Sequence, residues 1–180
     1  MARRAALGFK THTGWAAAVA IAGGEAILKR RIDMARDFKT GAVFHVAQEM
    51  PVETARTLVR SSEAKFESIA RDAIRALLDE LGAAGFEVVA SGIIAGSPKP
   101  LPPLESILRS HALVHAAEGD LYRRMIARAC EACAIPVRMV PASAIGAHAS
   151  QIAAIGKASG RPWAADQKES ALAALVALDR

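Results

Sequence analysis

AALGFKTHTGWAAAVAIAGGEAILKRRIDM, residues 5–34, is the stretch on which the fold turns. Residues 5–9 and 14–22 are apolar, and Lys10, Thr11, His12 and Thr13 form a polar interruption between them. Gly23-Gly24 is a strong hairpin signal, because both central positions of the tightest hairpin turns need a positive φ. Residues 25–34 then set Ile27, Ile32 and Met34 among charges, the pattern of an outer strand. Thr40-Gly41 marks another turn, and Val43, Phe44, His45 and Val46 predict a short third strand. Successive strands joined by tight turns make an antiparallel meander.

Downstream the period changes. Pro51 suits the start of a helix, and Leu58, Val59, Phe66, Ile69, Ile74, Leu77, Leu78 and Leu81 recur at helical spacing up to Gly82 and Gly85. Residues 86–95 are nearly all apolar, which predicts a strand buried on both faces. Pro98, Pro100, Pro102 and Pro103 force a stiff loop. A helical pattern runs from about residue 104 to 133, with a break expected near Gly119. Residues 135–140 predict a fifth strand, 144–157 a helix, and 164–178 a last amphipathic helix beyond Gly160 and Pro162. The expected order is β-β-β-α-β-α-β-α-α: an α/β domain with a mixed five-stranded sheet flanked by helices, spanning residues 1–180 as one unit.

Composition bounds the function. The 180 residues are 52% hydrophobic but only 4% aromatic, so Ala, Val, Ile and Leu must fill the core. Two cysteines exclude a disulfide framework. The longest uncharged apolar run, residues 15–24, is far short of the roughly 20 residues that span a bilayer. Lys10 and His12 break the apolar stretch a signal peptide would need after Arg3-Arg4. The expected location is cytoplasmic. The net charge of +5 is concentrated early, with 8 basic and 4 acidic groups in residues 1–50. Such an excess suits a polyanionic partner, nucleic acid first, and is equally an ordinary solubility charge.

The segment GFKTHTGWA, residues 8–16, resembles the first-strand motif of the RuvC-type resolvase branch of the ribonuclease H-like superfamily. That motif is a glycine–apolar–aspartate run followed by a second glycine and a return strand. DQKESALA, residues 166–173, resembles the branch's last-helix motif, in which acidic residues precede an Ala-Leu-Ala run. HASQI, residues 148–152, falls where the branch has a basic residue on the preceding helix. The resemblance implies the ribonuclease H-like fold and, in active members, carboxylates on the first strand, the fourth strand and the last helix holding two divalent metals. Here Lys10 occupies the first-strand acid position, and residues 88–94 contain no acid. Asp166 and Glu169 alone remain as candidate catalytic residues, on one helix face at i,i+3. The usual two-metal nuclease chemistry is therefore expected to be absent, and no resident cofactor is expected.

Further constellations stand beside ordinary structural explanations. His111, His115 and Glu118 lie at i, i+4 and i+7, within about 60° on a helix. They could ligate a divalent transition metal, although such histidine pairs are also common on polar helix faces. Lys10, Thr11, His12 and Thr13, with Lys99 from the proline-rich loop, form a candidate polyanion site; a solvent-facing turn has the same make-up. Cys130 and Cys133 sit at the C-terminal end of a helix, the wrong end for a redox CxxC pair, and read as packed thiols. Gly156-Lys157-Ala158 lacks the first glycine and the hydroxyl of a phosphate-binding loop, which excludes P-loop chemistry.

Three functional expectations follow. The first is a catalytically altered domain that binds nucleic acid or another polyanion. The second is a metal-dependent hydrolase or nuclease using His111, His115 and Glu118, or the remaining acids. The third is an interaction protein that self-associates through the long helix of residues 52–81 and the Ala-rich last helix.

Overall fold

Every second residue of the first strand faces the same way, and this alternation sorts the molecule into two layers. The computed structural model describes all residues except 97–99 and 180; Lys99 therefore lies outside the described residues. Strand β1 (Arg3–His12) pairs antiparallel with β2 (Trp15–Ala22), which pairs antiparallel with β3 (Glu25–Asp33). On its other side β1 pairs parallel with β4 (Phe86–Ala95), and β4 pairs parallel with β5 (Val137–Pro141). The described residues thus form a five-stranded mixed sheet of order β3-β2-β1-β4-β5, as expected. Between β3 and β4 lie the short helices α1 (Phe38–Gly41) and α2 (Val43–Ala47) and the long α3 (Val52–Ala83). Helices α4 (Leu104–Leu108) and α5 (His111–Ala132) lead to β5. A 3₁₀ turn (Ala142–His148), α6 (Ala149–Ser159) and α7 (Ala165–Leu178) follow.

Ala5, Leu7 and Phe9 face one core, shared with Phe66 and Ile74 of α3 and with Leu121 and Met125 of α5. Ala6 faces the opposite core, built with Ile152 and Ile155 of α6 and Leu172 and Leu175 of α7. Gly8, Lys10 and His12 continue the Ala6 face by alternation, so the polar end of β1 points toward α7. The approach of α7 is unusually close because neighbouring strands offer it paired glycines. Gly8 and Gly92 are register partners in β1 and β4. A Cβ on Gly8 would lie 1.8 Å from the Ser170 carbonyl oxygen, and one on Gly92 would lie 2.1 Å from that of Ala173. The α7 residues over them are small, and Ser170 Oγ donates to the Ala17 carbonyl at 3.1 Å.

Several sequence expectations need correction. Residues 43–46 form helix α2, not a strand. A short apolar run carries no decisive period, and a distant carboxylate decides the matter: Glu118 Oε1 accepts from the backbone N–H of Phe44 at 2.8 Å and of His45 at 3.3 Å. These are N–H groups that a first helical turn leaves without an internal partner, and Ala42 offers no side-chain cap. The helical run after residue 104 breaks at Ser110, not at Gly119. Ser110 is extended and accepts from the Leu113 N–H at 3.4 Å, whereas α5 passes through Gly119 unbroken. Strand β4 is not buried throughout: Phe86 and Ser91 to Ile94 are buried, Glu87 is exposed, and Val88 to Ala90 are half-buried.

Candidate functional site

The carboxyl end of β1 gathers the candidate groups from two distant parts of the chain. Lys10 and His12, two residues apart on one face of the strand, meet the first two turns of α7. Lys10 Nζ lies 2.6 Å from Glu169 Oε2. His12 Nε2 lies 2.8 Å from Asp166 Oδ1. The strand's period of two and the helix's i,i+3 step match, so two base–acid pairs form side by side. All four side chains are only partly exposed. Asp166 also sits in the first turn of α7, where the helix dipole favours a negative charge. The His12 ring stacks on Trp15 with centroids 4.3 Å apart and planes inclined by 15°, and the Arg31 guanidinium lies 3.9 Å from the Trp15 ring centre.

Beside the Lys10–Glu169 pair opens a cleft of about 370 Å³ across the edge of β1, β4 and β5. Its polar walls are Lys10, Thr11, Arg123 and Ser143, and no carboxylate lines it among the described residues. Arg123 reaches it from α5. A Cβ on Gly119, one turn earlier, would stand 3.2 Å from an Arg123 guanidinium nitrogen, a contact that a small shift of that flexible side chain relieves. The sequence holds no local signal for Arg123, whose place beside Lys10 depends on the packing of α5 against the sheet. Thr13 stands apart, in a hollow of about 230 Å³ at the β1–β2 turn with Trp15, Arg31 and Arg36.

The other histidine group assembles elsewhere. His111 and His115 are one turn apart on α5, with their Nε2 atoms 3.0 Å apart. Glu118 does not join them as a ligand; it is buried beneath, with Oε1 accepting from α2 and lying 3.2 Å from His45 Nδ1. The third imidazole is His45, and nitrogens of His45, His111 and His115 all lie within 4.8 Å of one another. The sequence holds no local signal for His45, since its partners are more than 60 positions away. Arg123 and His115 share α5 but stand eight residues apart, about 12 Å along the axis. The cleft and the histidine cluster are therefore separate places on one helix.

Two buried groups near these sites are shifted. Burial first, and the Glu118 charge second, push the Tyr122 phenol well above its ordinary range; its hydroxyl donates to the Gly41 carbonyl at 2.7 Å. Burial pushes the Cys130 thiol up to about 12. Cys130 and Cys133 are both free thiols at the C-terminal end of α5.

No protein-family description matches the chain, and no curated protein matches it in sequence. Among solved structures the chain is similar to T. thermophilus RuvC, determined in complex with a Holliday junction substrate. The likeness covers 96% of this chain and 90% of that one, at a TM-score of 0.54 and 10% identity. At that identity the similarity is one of architecture, and with the strand order above it assigns the ribonuclease H-like fold.

Proposed function

We propose that this chain is a catalytically altered ribonuclease H-like domain that binds a polyanion, nucleic acid in the first instance, in the cleft at the carboxyl edge of β1, β4 and β5. The observation that carries the reading is the cleft's lining: Lys10 and Arg123 with the hydroxyls of Thr11 and Ser143, and no carboxylate among the described residues. Two cations and two donors in a hollow of this size suit a phosphate group.

The donor set argues against the pair of divalent metals that nuclease members of the fold hold. Hard cations need several oxygen ligands, whereas here an ammonium lies 2.6 Å from one remaining acid and an imidazole 2.8 Å from the other. The only acid on β4 is Glu87, opposite Arg4 at the far end of the sheet. Lys10 lies beyond the Phe9–Ile93 pairing at the near end. Six residues of strand separate Glu87 from Ile93, roughly 20 Å. Asp166 and Glu169 serve in this reading as counter-charges that position His12 and Lys10.

Fluorescence anisotropy with labelled single-stranded, duplex and four-way-junction DNA tests it; the four-way junction is included because the similar RuvC structure holds one. Binding that weakens with salt is expected, with a slope of about −2 in log–log form for two phosphate contacts. Arg123→Ala should reduce that slope by about one. Absence of binding at low salt would remove the proposal. Magnesium-dependent cleavage that disappears in Glu169→Ala would instead restore the nuclease reading.

A further inference from the structure

We propose that His45, His111 and His115 form a binding site for a divalent transition metal of the zinc class, with Glu118 as the group that orients His45. The site is independent of the edge cleft and of what the cleft binds.

Three imidazoles from two elements converge there. His45 comes from α2, in the connection between β3 and α3, and the other two from the first two turns of α5. A tetrahedral ion with Zn–N bonds of about 2.0–2.1 Å holds its nitrogens about 3.3–3.4 Å apart. The His111–His115 nitrogens are at 3.0 Å, and the whole set is within 4.8 Å. Small side-chain rotations close the difference, and His111 and His115 are exposed and free to make them. The ring centroids of His45 lie 4.7 Å from His115 and 5.6 Å from His111.

The second observation is the buried carboxylate. Metal-bound histidines commonly donate their other ring N–H to a carboxylate, which fixes tautomer and orientation. Glu118 Oε1 sits 3.2 Å from His45 Nδ1, which leaves Nε2 of that ring for an ion. The same oxygen holds the backbone N–H groups of Phe44 and His45, so the carboxylate fixes the helix that carries the ligand as well as its ring. Glu118 is only 2% exposed, and its Oε2 is buried without a partner among the described residues. A buried carboxylate with one oxygen left without a partner is costly unless a positive charge lies nearby. A dication on the three imidazoles supplies one. Three neutral nitrogen ligands favour zinc, cobalt, nickel or copper over magnesium or calcium, and the exposed side of the cluster leaves a fourth position for water.

Zinc is titrated into the metal-free 180-residue chain by calorimetry, and cobalt in parallel by visible absorption. One zinc per chain is expected, with a cobalt spectrum of four- or five-coordinate nitrogen ligation. His115→Ala, an exposed change that leaves the core intact, should weaken binding by about 100-fold or more, and His45→Ala likewise. Glu118→Gln should weaken it about 10–100-fold and alter the cobalt spectrum; circular dichroism of that variant without metal separates a lost ligand orientation from an unfolded α2. Absence of stoichiometric uptake, or uptake unchanged in His115→Ala, would overturn the metal site. A cobalt spectrum and affinity unchanged in folded Glu118→Gln would overturn the positioning role.

Discussion

At the residue scale, Lys10 is held by an acid and lines a cleft at once. Its ion pair with Glu169 is about a quarter exposed on each side. Pairs of that kind contribute about 1 kcal/mol or less. The pair therefore matters more for where the ammonium's charge is spent than for stability. Neutralising the acid in Glu169→Gln frees that charge for the cleft. Polyanion affinity at low salt is expected to rise a few-fold, with a steeper salt dependence, while the denaturation midpoint moves little. Unchanged or weaker binding in the anisotropy titration would show that Lys10 does not face the ligand. Arg123→Ala should move affinity the opposite way, since that guanidinium lines the cleft without the buried support of a strand.

At the scale of elements, the contact of α7 with the sheet positions the site. Lys10 and His12 reach Glu169 and Asp166 because the helix backbone descends onto Gly8 and Gly92. Adding a methyl group at either glycine drives a Cβ into backbone, which cannot rotate away. Gly92→Ala is expected to destabilise by about 1–3 kcal/mol, the usual cost of overpacking a filled core. Urea denaturation measures it. The same change should lift α7 and loosen both base–acid pairs, so the His12 ring signals in NMR should shift although residue 92 is not their neighbour. A wild-type midpoint and unshifted His12 signals would mean that α7 is not held by this contact. The short helix α2 makes a complementary point: a carboxylate from α5 caps it, and its own sequence supplies none.

At the scale of the whole molecule, the core that the sheet shares with α3 and α5 buries two groups that ionise only at high pH. The fold keeps the Cys130 thiol and the Tyr122 phenol neutral, while the unfolded chain releases both protons near the ordinary values of 9.0 and 10.0. The unfolded state then binds fewer protons than the native one, so stability falls as pH rises. For Cys130 the loss begins near pH 9 and continues to about 12, on the order of a few kcal/mol. Denaturant midpoints measured from pH 8 to 11 should fall progressively, and Cys130→Ala should flatten the fall between pH 9 and 10. A thiol reagent at neutral pH should modify the half-buried Cys133 well before Cys130. A flat alkaline profile would contradict the burial of these groups. Among the described residues no helix is long and apolar enough to cross a membrane.

The amino-acid sequence by itself determined the sheet and its layers. The apolar runs of β1 and β2, the Gly23-Gly24 turn, the helical period of α3 and the apolar run of β4 are local patterns, and local patterns survive in one dimension. It also placed Lys10, His12, Asp166 and Glu169 as candidate groups, though not as two pairs. Tertiary structure alone decided which charges meet. His12 and Asp166 are 154 residues apart, and Glu118 reaches α2 across more than 70. Helix α2, the meeting of Arg123 with Lys10 at the cleft and the entry of His45 into the histidine cluster follow from such contacts. Side chains far apart in the chain touch only after the sheet and helices have packed, and periodicity holds no record of that distance.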